Sequence, residues 1–155
     1  SGKAVYFSER EWYNKVTFHW IQGDLYMPNA VLKACMSPEM SFINKLPNGS
    51  KIQLETKYSY NVKYAKELSC RGELTAVVTD KENPDSFSIK AVLVGIFSYK
   101  EGSDKDLLHI ETFRALFPYA RALVSTLTAN AGIPAIILPE IDIEGQSIYR
   151  IGDNR

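Results

Sequence analysis

The chain has 155 residues, enough for one domain with a sizeable core and too few to suggest two, so residues 1–155 are read as a single domain. Hydrophobic residues make up 45% and charged residues 23%, the balance of a folded globular chain rather than a disordered one. Lys plus Arg is 18 and Asp plus Glu is 18, so no net field marks the chain for nucleic acid, and no apolar run is long enough to insert in a membrane.

Cys35 and Cys70 are far apart and lack a C-x-x-C spacing, and no leader peptide is visible. They are expected to be buried free thiols in a reducing, cytoplasmic setting.

In chain order, Val16, Phe18 and Trp20 alternate with Thr17 and His19, which predicts a strand with one apolar face and His19 on the other. Residues 23–50 have a weak pattern, divided by Pro28, Pro38 and Pro47. Ala30, Val31, Ala34 and Cys35 suggest an apolar helical patch with Met36, Met40, Phe42 and Ile43 packed behind it as core. The same methionines with Phe42 would alternatively line an adaptable binding surface. Asn48-Gly49 predicts a turn.

Ile52, Leu54, Tyr58, Tyr60, Val62 and Tyr64 then alternate with polar residues, the clearest strand in the chain. Leu68, Cys70, Leu74, Ala76 and Val78 predict the next strand, and residues 80–86 a turn. In the strand that follows, Phe87, Ile89, Ala91, Leu93, Phe97 and Tyr99 share one parity. Lys90 begins the other, but Val92, Val94 and Ile96 follow it, so part of that nominally wet face is expected to be covered by loops or by another subunit. Short links between these strands favour an antiparallel meander.

Residues 103–114 predict a short helix opened by Ser103, with Asp106 as an imperfect capping partner. A longer helix is expected to start at Pro118, where a missing N–H costs nothing, and to stop at Gly132 and Pro134. Ala120, Leu123, Val124, Leu127 and Ala131 would face inward. Arg121, Ser125 and Thr128 form a polar face of modest bulk, read as lying near a subunit contact. Ile133, Ala135, Ile136, Ile137 and Leu138 make an apolar run broken by Pro134 and Pro139, expected to be an extended loop with a greasy surface. Ile141, Ile143, Ile148 and Tyr149 are candidates for packing the tail.

Phosphate-binding glycine loops and a G-x-S-x-G elbow are absent, and two cysteines with two histidines make no compact metal set, so neither cofactor nor metal is expected. The residues therefore favour a binding protein. A structural or assembly protein whose apolar surfaces meet only its own copies is the alternative, and an enzyme of unrecognised class, assembled from distant residues, ranks below it.

Three segments carry a family resemblance: GIFSY at Gly95–Tyr99, LFPYAR at Leu116–Arg121, and GIPAIILPE from Gly132 to Glu140. Together they resemble the SecB family of export chaperones over roughly residues 50–149. The resemblance implies an α+β subunit with a four-stranded antiparallel sheet packed against helices, assembled as a homotetramer. It further implies an ATP-independent holdase that keeps nonnative polypeptides export-competent, or that guards an antitoxin as some SecB-like proteins do. Client binding would fall on Ile133, Pro134, Ile136, Ile137 and Leu138, with Ile148 and Tyr149. Oligomer contacts would involve Val92, Val94, Ile96, Arg121, Ser125 and Thr128. Lys90, standing where the family's motor-reading strand carries a carboxylate, and the lack of a counterpart to the family's C-terminal motor-binding tail both weigh against docking to a SecA-type motor.

Overall fold

A computed structural model describes residues 28–139 and the backbone of 148–150. The readings of Val16–Trp20, His19, Ile141 and Ile143 lie outside the described residues.

Four long strands carry the fold: β1 (Ala30–Asn44), β2 (Lys51–Ala65), β3 (Ser69–Asp80) and β4 (Phe87–Tyr99). A helix, α1 (Lys105–Asn130), follows, and a short strand, β5 (Ile148–Arg150), comes last. The order across the sheet is β1-β4-β3-β2-β5, with every neighbour antiparallel. The consecutive strands β2, β3 and β4 make the expected meander, and β1 closes against the far side of β4.

The alternating residues of β2 fall as the pattern predicts: Tyr58, Tyr60 and Val62 are buried while Lys57 and Lys63 are exposed. In β3, Cys70, Leu74, Ala76 and Val78 are buried and share the same inner face. Leu68 does not join them. It sits in the β2–β3 turn with Glu67, at φ 53° and 62° respectively, because a tight hairpin between right-twisted strands needs left-handed backbone at its tip.

The largest departure from the sequence reading is β1. The expected helical patch at Ala30–Cys35 is strand, and it continues through Pro38. Register shifts between Leu32 and Ala34 and between Met36 and Glu39 let it do so: Pro38 occupies the second irregularity of an edge strand, where its missing donor breaks no interior ladder. Met36 (59% exposed), Met40 and Ile43 are consequently not core, and Phe42 alone of that group stacks edge-on against Phe87, with centroids 5.6 Å apart. Cys35 is an exposed thiol and only Cys70 is buried; both are free.

The helix also differs. One continuous element spans the two predicted helices, with Pro118 inside it on the exposed side. Asp104, not Ser103, is the N-cap, its carboxylate accepting from the Asp106 amide at 3.0 Å. The inward stripe is Leu108, Phe113, Leu116, Phe117, Ala120 and Val124, with Leu123 and Leu127 only partly buried and Ala131 exposed.

Two glycines set how closely layers approach. A Cβ on Gly95 would lie 2.6 Å from Leu116 Cδ2 and 3.0 Å from Leu32 Cδ1, so its bare backbone is the seat for the helix. Gly72 leaves room in the same way for the Tyr60 phenol, whose hydroxyl meets Thr112 Oγ1 at 2.6 Å. That hydroxyl is otherwise within an apolar core, and burial drives its pKa well upward.

Glu111, 8% exposed, ties the entry of β1 to the helix by accepting from the Asn29 and Ala30 amides at 2.9 and 3.2 Å. The side chains of Val92 and Val94 are buried within the single chain, at 7% and 4%, whereas Ile96 remains 36% exposed. The nominally wet face is thus closed at its centre, as the pattern suggested, and open toward Ile96. Lys90 on that face pairs with Glu39 at 3.1 Å.

Candidate functional site

Helix α1 ends in a cap that launches the next segment in a defined direction. Ala131 N–H donates to the Leu127 and Thr128 carbonyls, Gly132 N–H to Ala129, and Gly132 takes φ +83°, the left-handed geometry that a helix stop requires. The chain then runs back along α1 in extended form from Ile133 to Pro139.

This segment has no backbone ladder of its own, so its polar groups need other partners. Thr128 Oγ1 accepts the Ile136 N–H at 3.0 Å, and Ser125 Oγ donates to the Ile136 carbonyl at 2.9 Å. Arg121 places Nε and Nη2 on the Leu138 carbonyl at 3.0 and 2.8 Å, with its guanidinium 5.1 Å from the centre of the Phe117 ring. Tyr58 on β2 donates to the Pro139 carbonyl at 2.6 Å.

Arg121, Ser125 and Thr128 are four and three residues apart, so they line one face of α1. That face meets the chain's own loop. Thr128 is fully buried, its hydroxyl also donating to Val124 O at 2.8 Å, and a residue at 0% exposure has no surface to offer another subunit.

Extended backbone alternates its side chains, and the loop does so at its end. Ile136 and Leu138 turn inward at 6% and 0% exposure, whereas Ile137 between them is 62% exposed. Ile133 is also inward, at 5%, and Pro134 and Pro139 are half-buried. The greasy surface expected of this run is therefore concentrated on Ile137, and the other three side chains join the core cluster that contains Tyr58, Phe117, Ala120 and Val124. Beyond the loop, β5 pairs Ile148 with Gln53 and Tyr149 with Ile52, which brings both candidate tail positions to the outer edge of β2.

Sequence reasoning missed Tyr58, which reads as an ordinary inward strand residue. It also gave the polar face of α1 to a different neighbour. The visible signal was the spacing of Arg121, Ser125 and Thr128 ahead of a proline-limited run whose carbonyls would need donors.

The three segments singled out in the sequence meet here as one assembly. Gly95 of GIFSY seats Leu116 of LFPYAR, and Arg121 at the end of LFPYAR holds the loop GIPAIILP through Leu138. The family described as preprotein translocase subunit SecB matches residues 22–151. The chain belongs to the SecB family.

An uncharacterised protein of Methanocaldococcus jannaschii is 33% identical over 111 residues, covering 66% of this chain and 72% of that one. SecB of Neorickettsia sennetsu is 30% identical over 128 residues, covering 76% and 77%. SecB of Caulobacter vibrioides is 38% identical over 82 residues, a span of 51% of this chain and 46% of the Caulobacter protein. Among solved structures, the SecB-like chaperone of Mycobacterium tuberculosis in complex with a peptide from the HigA1 antitoxin aligns with a TM-score of 0.60. It shares 16% identity, covers 87% of this chain and 99% of that one, and establishes a common fold.

SecB-family proteins are non-catalytic, and this chain is not an enzyme. Among the described residues no group of three or more His, Cys, Asp or Glu is arranged to hold a metal ion, and no helix is long and apolar enough to cross a membrane.

Proposed function

We propose that the protein is an ATP-independent holdase that binds nonnative polypeptide on and around the loop between Ile133 and Pro139. Membership of the SecB family over residues 22–151 carries this reading. The chemistry suits it: an extended, proline-stiffened segment presents Ile137 outward, and a client's apolar stretch gains by leaving water only while that stretch remains unfolded. Pro134 and Pro139 limit the conformations the segment loses on binding. Ile133, Ile136 and Leu138 belong to the same surface in this reading, although they face inward in the structure. Ile148 and Tyr149 extend it along the edge of β2.

The client is a nonnative polypeptide, and an antitoxin segment is one form of it. Lys90, a cation at the position where the family's motor-reading strand carries a carboxylate, favours work without a conventional SecA-type motor, and its pairing with Glu39 at 3.1 Å fixes it on that face. Assembly as a homotetramer is part of the proposal, with Ile96 as the accessible member of the Val92, Val94 and Ile96 row. Ile96→Lys places a charge where a sheet-mediated contact would bury it and is expected to shift the mass distribution toward smaller species on dilution. The test of the holdase role is suppression of aggregation of an unfolding protein at stoichiometric ratios without nucleotide. Aggregation that proceeds at the same rate with and without the purified chain would reject it.

A further inference from the structure

Three apolar side chains of the loop are spent on the chain's own core, and the segment is held there by side chains rather than by a ladder. We propose that Arg121, Ser125, Thr128 and Tyr58 form a latch, and that client capture proceeds by release of the loop from it, so that client residues replace Ile133, Ile136 and Leu138 against the core. This deepens the holdase reading and rests on it.

The construction of the segment supports release as a unit. Gly132, at φ +83° with nothing within 4 Å of where a Cβ would stand, is a pivot free of packing. Pro134 and Pro139 stiffen the stretch beyond it. The amide of the residue after the pivot, Ile133, makes a long 3.4 Å bond to Thr128 O.

The fastening further out is polar and replaceable. Arg121, Ser125 and Tyr58 each donate to a loop carbonyl, and water supplies equivalent partners to both sides on opening. Thr128 keeps its bonds to the Val124 and Ser125 carbonyls when the loop leaves, so no buried hydroxyl is stranded. What opposes opening is the exposure of three apolar side chains and the surface they cover. An apolar client segment removes that cost by occupying the same place, whereas a native protein with its apolar residues buried does not.

The latched state withholds the binding surface, so apparent affinity is the intrinsic affinity reduced by the fraction of molecules that are open. Two substitutions test this without touching the Thr128–Ile136 bond or any apolar contact: Tyr58→Phe removes one hydroxyl, and Ser125→Ala another. Amide exchange at Ile136 reads the open population, and binding of a carboxymethylated, permanently unfolded protein reads capture. Combined, the two changes are expected to speed exchange at Ile136 by about five- to fiftyfold while leaving amides of β3 unchanged, a control for intact folding. Client affinity should rise by the same factor as exchange.

Faster exchange with unchanged or weaker client binding would overturn the proposal, since the loop would then be a fixed wall of the site. Unchanged exchange would overturn it as well, because these bonds would not be holding the loop. The exchange measurement needs no client, so a parent protein that holds nothing removes the holdase reading while the latch is still decided by exchange.

Discussion

Replacing Gly95 with Ala adds one methyl where the sheet and helix meet. An ideal Cβ would stand 2.6 Å from Leu116 Cδ2, 2.9 Å from Phe97 Cε2 and 3.0 Å from Leu32 Cδ1. Leu116 and Phe97 are 0% and 1% exposed, so neither has open space to retreat into. Forcing a methyl into such packing costs about 1–3 kcal/mol, partly offset by roughly 0.5–1 kcal/mol from the reduced backbone freedom of Ala in the unfolded chain. The net loss, between about zero and 2.5 kcal/mol, corresponds to a fall in Tm of up to roughly 10 °C for a chain of this size. Thermal unfolding of Gly95→Ala, Leu116→Ala and the double variant measures it. Leu116→Ala alone should cost about 2–5 kcal/mol by leaving a cavity. The double variant should be more stable than the sum of the single losses by about 1 kcal/mol or more, since the new methyl then fills space that Leu116 vacated. Additive losses in the double variant would refute the close approach assigned to these two residues.

Ile136→Asp and Ile137→Asp should part company: the first buries a carboxylate at a position 6% exposed and should undock the loop and lower Tm, whereas the second, at 62% exposure, should change stability by no more than about 0.5 kcal/mol and weaken client holding instead. Thiol labelling at pH 8 should modify Cys35 promptly and Cys70 only on unfolding, because Cys70 is buried and its pKa is pushed up to about 11. Since the unfolded thiol loses its proton near the ordinary value of 9.0 and the folded one near 11, the unfolded state binds fewer protons between them, and stability should fall as pH rises through that window. A purified SecA-type motor should bind poorly. Titration showing submicromolar affinity would restore general export as the leading role.

Strands β2 and β3 were legible because each has one face more open than the other, and period-two alternation survives wherever one side of a sheet meets water. β1 was not. It carries Pro38 and two register shifts, and the second shift sets Met36 opposite Val94 but Met40 opposite Ala91, so two exposed residues of one sequence parity pair with opposite parities of β4 and no steady alternation is written in it. Pro118 misled the reading of α1 for a related reason: a proline is suited to a helix start, yet here it rides on the exposed side of a long helix whose packing of Phe113, Leu116 and Phe117 outweighs one missing bond. At the candidate site the loop boundaries could be read from Gly132 and the two prolines. The direction of its side chains could not, because an unbroken apolar run gives no contrast between faces. Only the structure shows that Ile136 and Leu138 look inward and Ile137 outward.

The central claim is that clients are held at the loop and the strand beneath it. Titrating an unfolded polypeptide into the protein while following backbone amide resonances tests it most directly. The account predicts saturable changes at residues 133–139 and at Tyr58 on β2, with Val31, Met36 and Ile96 on the outer face unaffected by client. Changes confined to that outer face, with the loop resonances unmoved at saturation, would contradict it.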